Sequence, residues 1–258
     1  MKTILIIGIG AGDPDYLTVQ AVDALNRADV FFLFDKGADK AKLADFRKAI
    51  LARHVTGTHH RLVDATSPEW NRASDHYKAT IAGLNDDKQA LYARLITEAM
   101  ADGECGALLV WGDPALYDST IRIVAAIAAA APGTIDYEVI PGISAAQALA
   151  ARHRVPLNRI GEGVAITTGR RLAEGWPQGA GSVVVMLDAH NRFAALGPDA
   201  DDTEIYWGAY LGTPDEILIA GKVGEVADEI ADARADARRR NGWIMDTYLL
   251  RRPARDDG

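Results

Sequence analysis

The sequence predicts an α/β protein made of two α/β domains, and three observations carry that reading. Three short turns, Gly8-Ile9-Gly10-Ala11-Gly12-Asp13-Pro14, Trp111-Gly112-Asp113-Pro114 and Pro141-Gly142-Ile143-Ser144, each follow an apolar, strand-like run. Strand and helix signals alternate as far as residue 155, the pattern of a mostly parallel sheet with helices on its faces. Turn formers then interrupt the chain at Val155-Pro156-Leu157-Asn158, after which strand signals come more densely. The predicted division is an N-terminal domain over residues 1–158 and a smaller domain over 159–258, with a cleft between them. Open α/β sheets build their binding sites at the carboxyl ends of parallel strands, so the three turns are the first candidates for function.

Each element has its own signal. Ile4–Ile7 is a continuous apolar run, as expected of a strand buried on both faces. Thr18 is placed to cap a helix over Val19–Ala28. Val30–Phe34 reads as a second strand, residues 39–54 as a helix and His59–Val63 as a short third strand. Asp64–Ala79 is polar and irregular, with Trp70 and His76. Leu91, Leu95, Ile96 and Ala99 lie at near-helical spacing and predict a helix over Lys88–Asp102. Ala107–Trp111 is the next strand, 119–131 an alanine-rich helix, and Tyr137–Ile140 the strand that leads into Pro141. Ser144 stands three residues before Gln147, the spacing of a capping box, ahead of a helix over Ala145–Arg152. Further strands are predicted at Val164–Thr168, Val183–Leu187, Glu204–Trp207, Ile217–Lys222 and Trp243–Leu250, with a helix over Gly224–Arg240 before the last.

Composition narrows the function. The chain is 48% hydrophobic and 25% charged, ordinary for a soluble globular protein. Its net charge of −8 argues against nucleic-acid or anionic-membrane partners, which need a basic footprint. The basic cluster Arg234–Arg240, interleaved with acids, reads as a solvated helix end whose cations complement the dipole. Cys105 is the single cysteine, so an internal disulfide and a thiolate zinc site are both excluded. No apolar stretch reaches the ~18 residues that span a bilayer, and the first residues read as a strand, not a signal peptide. The expected location is cytoplasmic.

The first turn is not a dinucleotide fingerprint. Its third glycine arrives one residue early, Pro14 lacks an N–H, and Asp13 sets a carboxylate where a pyrophosphate would be cradled. Instead, Gly8–Thr18 resembles the opening motif, G-x-G-P-G-D-x-x-L-L-T, of the tetrapyrrole (corrin/porphyrin) methyltransferases. Gly112-Asp113-Pro114-Ala115-Leu116-Tyr117 resembles that family's G-G-D-P-x-x-[YF] motif, and Pro141–Ala146 its P-G-[IV]-[ST]-[SA] motif. Order and spacing both fit. Asp35-Lys36-Gly37, Ser182–Asp188, Ile205–Asp215 and Gly242–Tyr248 are similar to the deacetylating branch of the family, in aerobic cobalamin synthesis. Two residues depart from the wider pattern: Ala11 stands where proline is usual, and Trp111 replaces the first glycine of the second motif.

The resemblance implies a tetrapyrrole methylase-like fold that binds S-adenosyl-L-methionine, folded, in the interdomain cleft of a homodimer. Carried over motif by motif, the donor (and its product S-adenosyl-L-homocysteine) would contact Trp111, Gly112, Asp113, Leu116, Ser144, Ala145, Met186 and Gly212. The substrate trough would be lined by Gly10, Ala11, Gly12, Asp13, Asp35, Lys36, Arg61 and Tyr117. The implied reaction methylates precorrin-5 at C-1 and releases the acetyl group as acetate, giving precorrin-6A; no metal is required. Another precorrin carbon is the alternative acceptor, and a non-catalytic donor sensor also stays open. Lys36, Arg61, Arg170 and Arg171 are the cations expected to face a polycarboxylate macrocycle. Asp35, His59, His60, Tyr117 and Asp246 are the candidate bases for deacylation, with no catalytic role assigned among them.

Overall fold

The computed structural model describes residues 1–35, 41–66, 77–197 and 200–253. The chain divides into two compact units, Met1–Ile143 and Ser144–Gly258, each with a five-stranded sheet.

In the first unit the order is β1 (Lys2–Gly8), α1 (Val19–Arg27), β2 (Val30–Asp35), α2 (Ala41–His54), β3 (Arg61–Thr66), α3 (Tyr77–Ala99), β4 (Cys105–Val110), α4 (Thr120–Ala130) and β5 (Ile135–Ile140). The strands lie side by side as β3-β2-β4-β1-β5, and every pairing is parallel. Alternation along β1 explains its unbroken apolar run. Leu5 and Ile7 pack with Ala21, Leu25, Ile50 and Leu51 of α1 and α2. Ile4 and Ile6 face the other way, into Leu95, Ile96, Ile123 and Val124 of α3 and α4. All four side chains of that run are fully buried, each contributing about 2 kcal/mol of burial free energy. The Thr18 hydroxyl accepts the Ala21 N–H at 3.0 Å and starts α1 where the sequence placed it.

Several elements differ from expectation; β4 begins at Cys105 rather than Ala107, and β5 at Ile135 rather than Tyr137. β3 begins at Arg61 rather than His59, which moves Arg61 from the interior of a strand to its first residue. α3 begins at Tyr77, well ahead of Lys88, and Asn85, Asp86 and Asp87, which interrupt the apolar spacing in the sequence, lie inside the helix. Trp70 and His76 lie outside the described residues.

The second unit runs α5 (Ala145–His153), β6 (Gly163–Thr168), α6 (Gly169–Leu172), β7 (Ala180–Met186), β8 (Glu204–Ala209), β9 (Ile217–Lys222), α7 (Val223–Asn241) and β10 (Asp246–Arg251). Its sheet is mixed, in the order β6-β7-β10-β8-β9, with β6 and β7 parallel and the other pairs antiparallel. Val183, Val185, Trp207, Tyr248 and Leu250 form one face of its core against Val223, Ile230 and Ala237 of α7. α5 packs against β8, β9 and β10, so the division falls before Ser144 and not near residue 158. The turn-rich Val155–Asn158 is a connection inside the second unit. No helix among the described residues is long and apolar enough to cross a membrane.

Candidate active site

Strand order brings the three turns together. β4, β1 and β5 are neighbours, and each delivers one turn at its carboxyl end. Gly10 and Gly112 pair across the first two turns: the Gly112 N–H donates to the Gly10 carbonyl at 2.8 Å, and the Gly112 carbonyl accepts the Gly10 N–H at 3.3 Å. Both have left-handed φ, 77° and 71°, which glycine adopts without steric cost. The third turn presses closer still. A Cβ on Gly142 would stand 2.2 Å from the Gly112 carbonyl oxygen, and one on Gly8 would stand 2.6 Å from the Gly142 nitrogen. One glycine from each motif is therefore required for the three backbones to meet.

Asp113 ties the arrangement. Its Oδ1 accepts the Ala115 N–H at 2.8 Å, closing its own turn, and its Oδ2 accepts the Gly142 N–H at 2.9 Å, fixing the third turn to the second. Asp13 behaves alike within the first turn, where its Oδ1 accepts the Asp15 N–H at 2.8 Å and caps a single 3-10 turn over Pro14–Tyr16. Ala11 is buried. The Leu116 N–H returns to the Asp113 carbonyl at 3.2 Å. Trp111 packs its ring on Phe46 of α2, centroids 4.7 Å apart, and its buried indole N–H meets no acceptor among the described residues.

The remaining predicted donor contacts belong to the second unit. Ser144 completes the capping box: its N–H donates to Gln147 Oε1 at 2.8 Å and its hydroxyl accepts the Gln147 N–H at 3.5 Å. Ala145 is the first residue of α5. Met186 ends β7 opposite Thr247. Leu187 follows with a left-handed φ of 55° and a side chain 69% exposed, a strained and solvated apolar residue that sequence patterning did not single out. Gly212 has φ 75° and donates its N–H to Glu216 Oε2 at 2.7 Å, while Glu216 pairs with Arg152.

Several expected site residues lie elsewhere. Arg61 opens β3, donates its backbone N–H to Asp29, and pairs with Glu104 just before β4. In a parallel sheet that is the amino edge, opposite the three turns, so Arg61 does not join Gly10–Asp13. His59 and His60 precede it on the same edge. The misplacement follows from the two-residue shift of β3. Asp246 is not a free base. Its Oδ2 accepts from Arg234 Nε at 2.8 Å and from Trp207 Nε1 at 3.1 Å, and burial pushes its carboxyl above the usual range. Arg234 is correspondingly drawn inward, 12% exposed, and also donates to the carbonyls of Asp188 and Ala189. Only the later arginines of that cluster form the solvated helix end. Arg170 and Arg171 are exposed in α6, and Arg171 pairs with Glu174. Lys36 and the Asp35 side chain lie outside the described residues. A cavity of about 440 Å³ beside α7, lined by Asn191, Arg234, Arg238 and Gly242, contains no residue of the three turns.

Two α/β units whose first sheet carries three interlocked glycine turns define a class, and comparison with known proteins supplies it. The family profile for Tetrapyrrole (Corrin/Porphyrin) Methylases matches residues 3–227, and the chain belongs to that family. It is 48% identical over 254 residues, 98% of this chain and 97% of the other, to a precorrin-6A synthase [deacetylating] of Sinorhizobium sp. Among solved structures it resembles a cobalamin synthesis related protein (CobF) of Corynebacterium diphtheriae. The TM-score is 0.83 at 37% identity, covering 97% of this chain and 98% of that one. A uroporphyrin-III C-methyltransferase of Thermus thermophilus complexed with S-adenosyl homocysteine shares the fold. There the TM-score is 0.58 at 21% identity, over 96% of each chain.

Proposed function

We propose that the protein methylates precorrin-5 at C-1 with S-adenosyl-L-methionine, releases the acetyl group as acetate, and yields precorrin-6A. The observation that carries the reading is the 48% identity, over 98% of the chain, to a deacetylating precorrin-6A synthase. The donor supplies a sulfonium methyl already activated for transfer. The chain's own task is then mainly to bind and orient, which can supply much of the rate. Gly10, Gly12, Gly112 and Gly142 present backbone without side chains at one sheet edge, which suits the close approach such a ligand needs.

In this reading Trp111, Gly112, Asp113 and Leu116 of the first unit hold the donor, and Ser144, Ala145, Met186 and Gly212 of the second unit are assigned to it by the motif match. Asp113 acts through the backbone it fixes, since both its carboxylate oxygens are engaged. Gly10, Ala11, Gly12 and Asp13 line the acceptor trough with Tyr117, whose side chain is 45% exposed. Of the candidate bases with described side chains, Tyr117 alone follows a carboxyl-edge turn. We assign it no proton transfer. The reading extends to a cytoplasmic homodimer. A single cysteine, with no internal disulfide possible, suits a reducing compartment, and sedimentation of the purified protein reads the assembly directly.

The acceptor position is tested by carbon NMR of product made with ¹³C-methyl donor. A labelled methyl at C-1 supports the reading. A label on another ring carbon replaces it with a different precorrin methyltransferase of the same fold.

A further inference from the structure

Leu187, the residue that follows β7, is out of place on two counts. Its φ of 55° is left-handed, a conformation in which a bulky side chain is an outlier. Its side chain is 69% exposed, so packing within the chain does little to compensate. Glycine would occupy the same backbone freely and leave no apolar surface in water. The fold therefore gains nothing evident from a leucine here, yet the backbone around it is tightly fixed.

Asp188, the next residue, is buried, and both its carboxylate oxygens are engaged. Its Oδ1 accepts the His190 N–H at 2.9 Å, and its Oδ2 accepts the Arg192 N–H at 2.6 Å and the Tyr248 hydroxyl at 2.7 Å. Gly169, the first residue of α6, walls that carboxylate: a Cβ there would stand 2.4 Å from Asp188 Cγ. From α7, Arg234 donates to the Asp188 carbonyl at 2.8 Å and to the Ala189 carbonyl at 3.3 Å. Asp246 of β10 holds Arg234 in turn, at 2.8 Å. Buried Tyr248 sets its ring edge-to-face with Phe193, centroids 5.1 Å apart. β10, α6 and α7 thus lock the turn that opens with the exposed leucine. Strain over-determined in this way concentrates at ligand clamps.

Position selects the ligand. Met186, immediately before Leu187, ends β7 opposite Thr168 at the end of the parallel strand β6. The carboxyl ends of parallel strands are where open sheets bind ligands, and in the proposed function Met186 contacts the donor. S-adenosyl-L-methionine is charged at its sulfonium, amino and carboxylate groups and hydroxylated at its ribose. Adenine alone offers a flat face for an aliphatic side chain to cover. We propose that Leu187 is a donor-binding residue that packs on the adenine ring, and that Asp188 and Arg234 are positioning residues that hold it there. This rests on the reading that the end of β7 receives the donor.

Leu187→Gly removes the side chain and the strain together. Leu187→Asn keeps nearly the same size and takes the left-handed conformation readily, but is polar. Without ligand, both are expected to unfold at a midpoint equal to or above wild type. The calorimetric Kd for S-adenosylhomocysteine rises about tenfold in each, within the range for one lost leucine-sized apolar contact. Leu187→Met, which keeps an apolar side chain, stays within about threefold. In protein labelled at its leucine methyls, an NMR cross-peak joins the adenine protons of bound S-adenosylhomocysteine to a methyl that disappears in Leu187→Met. Arg234→Met combined with Asp246→Asn releases the turn without leaving a buried charge. That pair weakens the same affinity, and in the Leu187→Gly background it weakens it no further, as expected of residues acting in series.

Unchanged affinity in Leu187→Gly overturns the proposal. With a lowered midpoint, that result makes the leucine purely structural; with a dimer that dissociates in sedimentation, it gives Leu187 to a second copy of the chain. Weakened affinity without the cross-peak overturns the adenine contact, and effects that multiply overturn the positioning role of Arg234. Wild-type protein that does not bind S-adenosylhomocysteine refutes the donor reading itself, and the proposal with it. Wild-type binding that the Leu187 variants leave untouched refutes the proposal alone.

Discussion

Asp113 occupies the position in the second turn where a carboxylate has the most backbone to hold. Its two oxygens take N–H groups from Ala115 and Gly142, so a side chain expected to meet the ligand works first on the protein. Asp113→Ala removes both acceptors. Destabilisation of about 2 kcal/mol is expected, within the range for two lost charge-assisted bonds, together with weaker binding of S-adenosylhomocysteine. Chemical denaturation and calorimetry on the same preparation check both effects. Gly142→Ala is expected to be worse. Its added methyl would stand 2.2 Å from a carbonyl oxygen and 2.8 Å from Gly8 backbone atoms, none of which is the free end of a flexible side chain. Overpacking of that kind costs ~1–3 kcal/mol or more, and the fall in denaturation midpoint measures it. Asp13 and Ser144 show the same economy of local bonding, each closing the turn that it begins.

Elements are held by ion pairs whose sequence signals were of unequal clarity. At the amino edge of the first sheet, Arg61 joins β3 to Glu104 ahead of β4, and this pair with the Ala101 N–H holds the Glu104 carboxyl down at about 2. A depressed carboxylate adds stability above its ordinary value, 4.5, and loses it as pH falls toward 2. Glu104→Gln is expected to flatten that part of the stability–pH curve, read by thermal melts across the window. In the second unit Arg234 of α7 neutralises Asp246 at the start of β10. Arg234→Met leaves a buried carboxylate unpaired and costs about 3 kcal/mol; Asp246→Asn added to it recovers part of the loss. Strands such as β1 and the capped start of α1 were legible because burial on two faces and a threonine cap leave direct marks on composition. β3 was not. Its exposed, alternating residues sit at the sheet edge, and a two-residue displacement there carried Arg61 to the wrong end of the sheet. Arg234 was misread for a related reason: helical periodicity gives a residue's face but not the buried acid that another strand sets beneath it.

At the scale of the whole molecule, two sheets of different construction follow from two densities of strand signal. The first, all parallel, places its three motif turns on adjacent strands β4, β1 and β5, which the spacing of glycines along the chain could not reveal by itself. The motifs were readable individually; their meeting at Gly8, Gly112 and Gly142 is a product of topology. The boundary shifted to Ser144 because α5 is buried by strands that come much later in the chain. Family membership and near-full-length similarity then support a specific chemistry, methyl gain coupled to acetyl loss. Mass spectrometry of precorrin-5 after incubation with the protein and methyl-labelled S-adenosylmethionine tests it most directly. A product with one labelled methyl and no acetyl group, accompanied by free acetate, is the predicted result; labelled product that keeps its acetyl group, or no transfer at all, would contradict it.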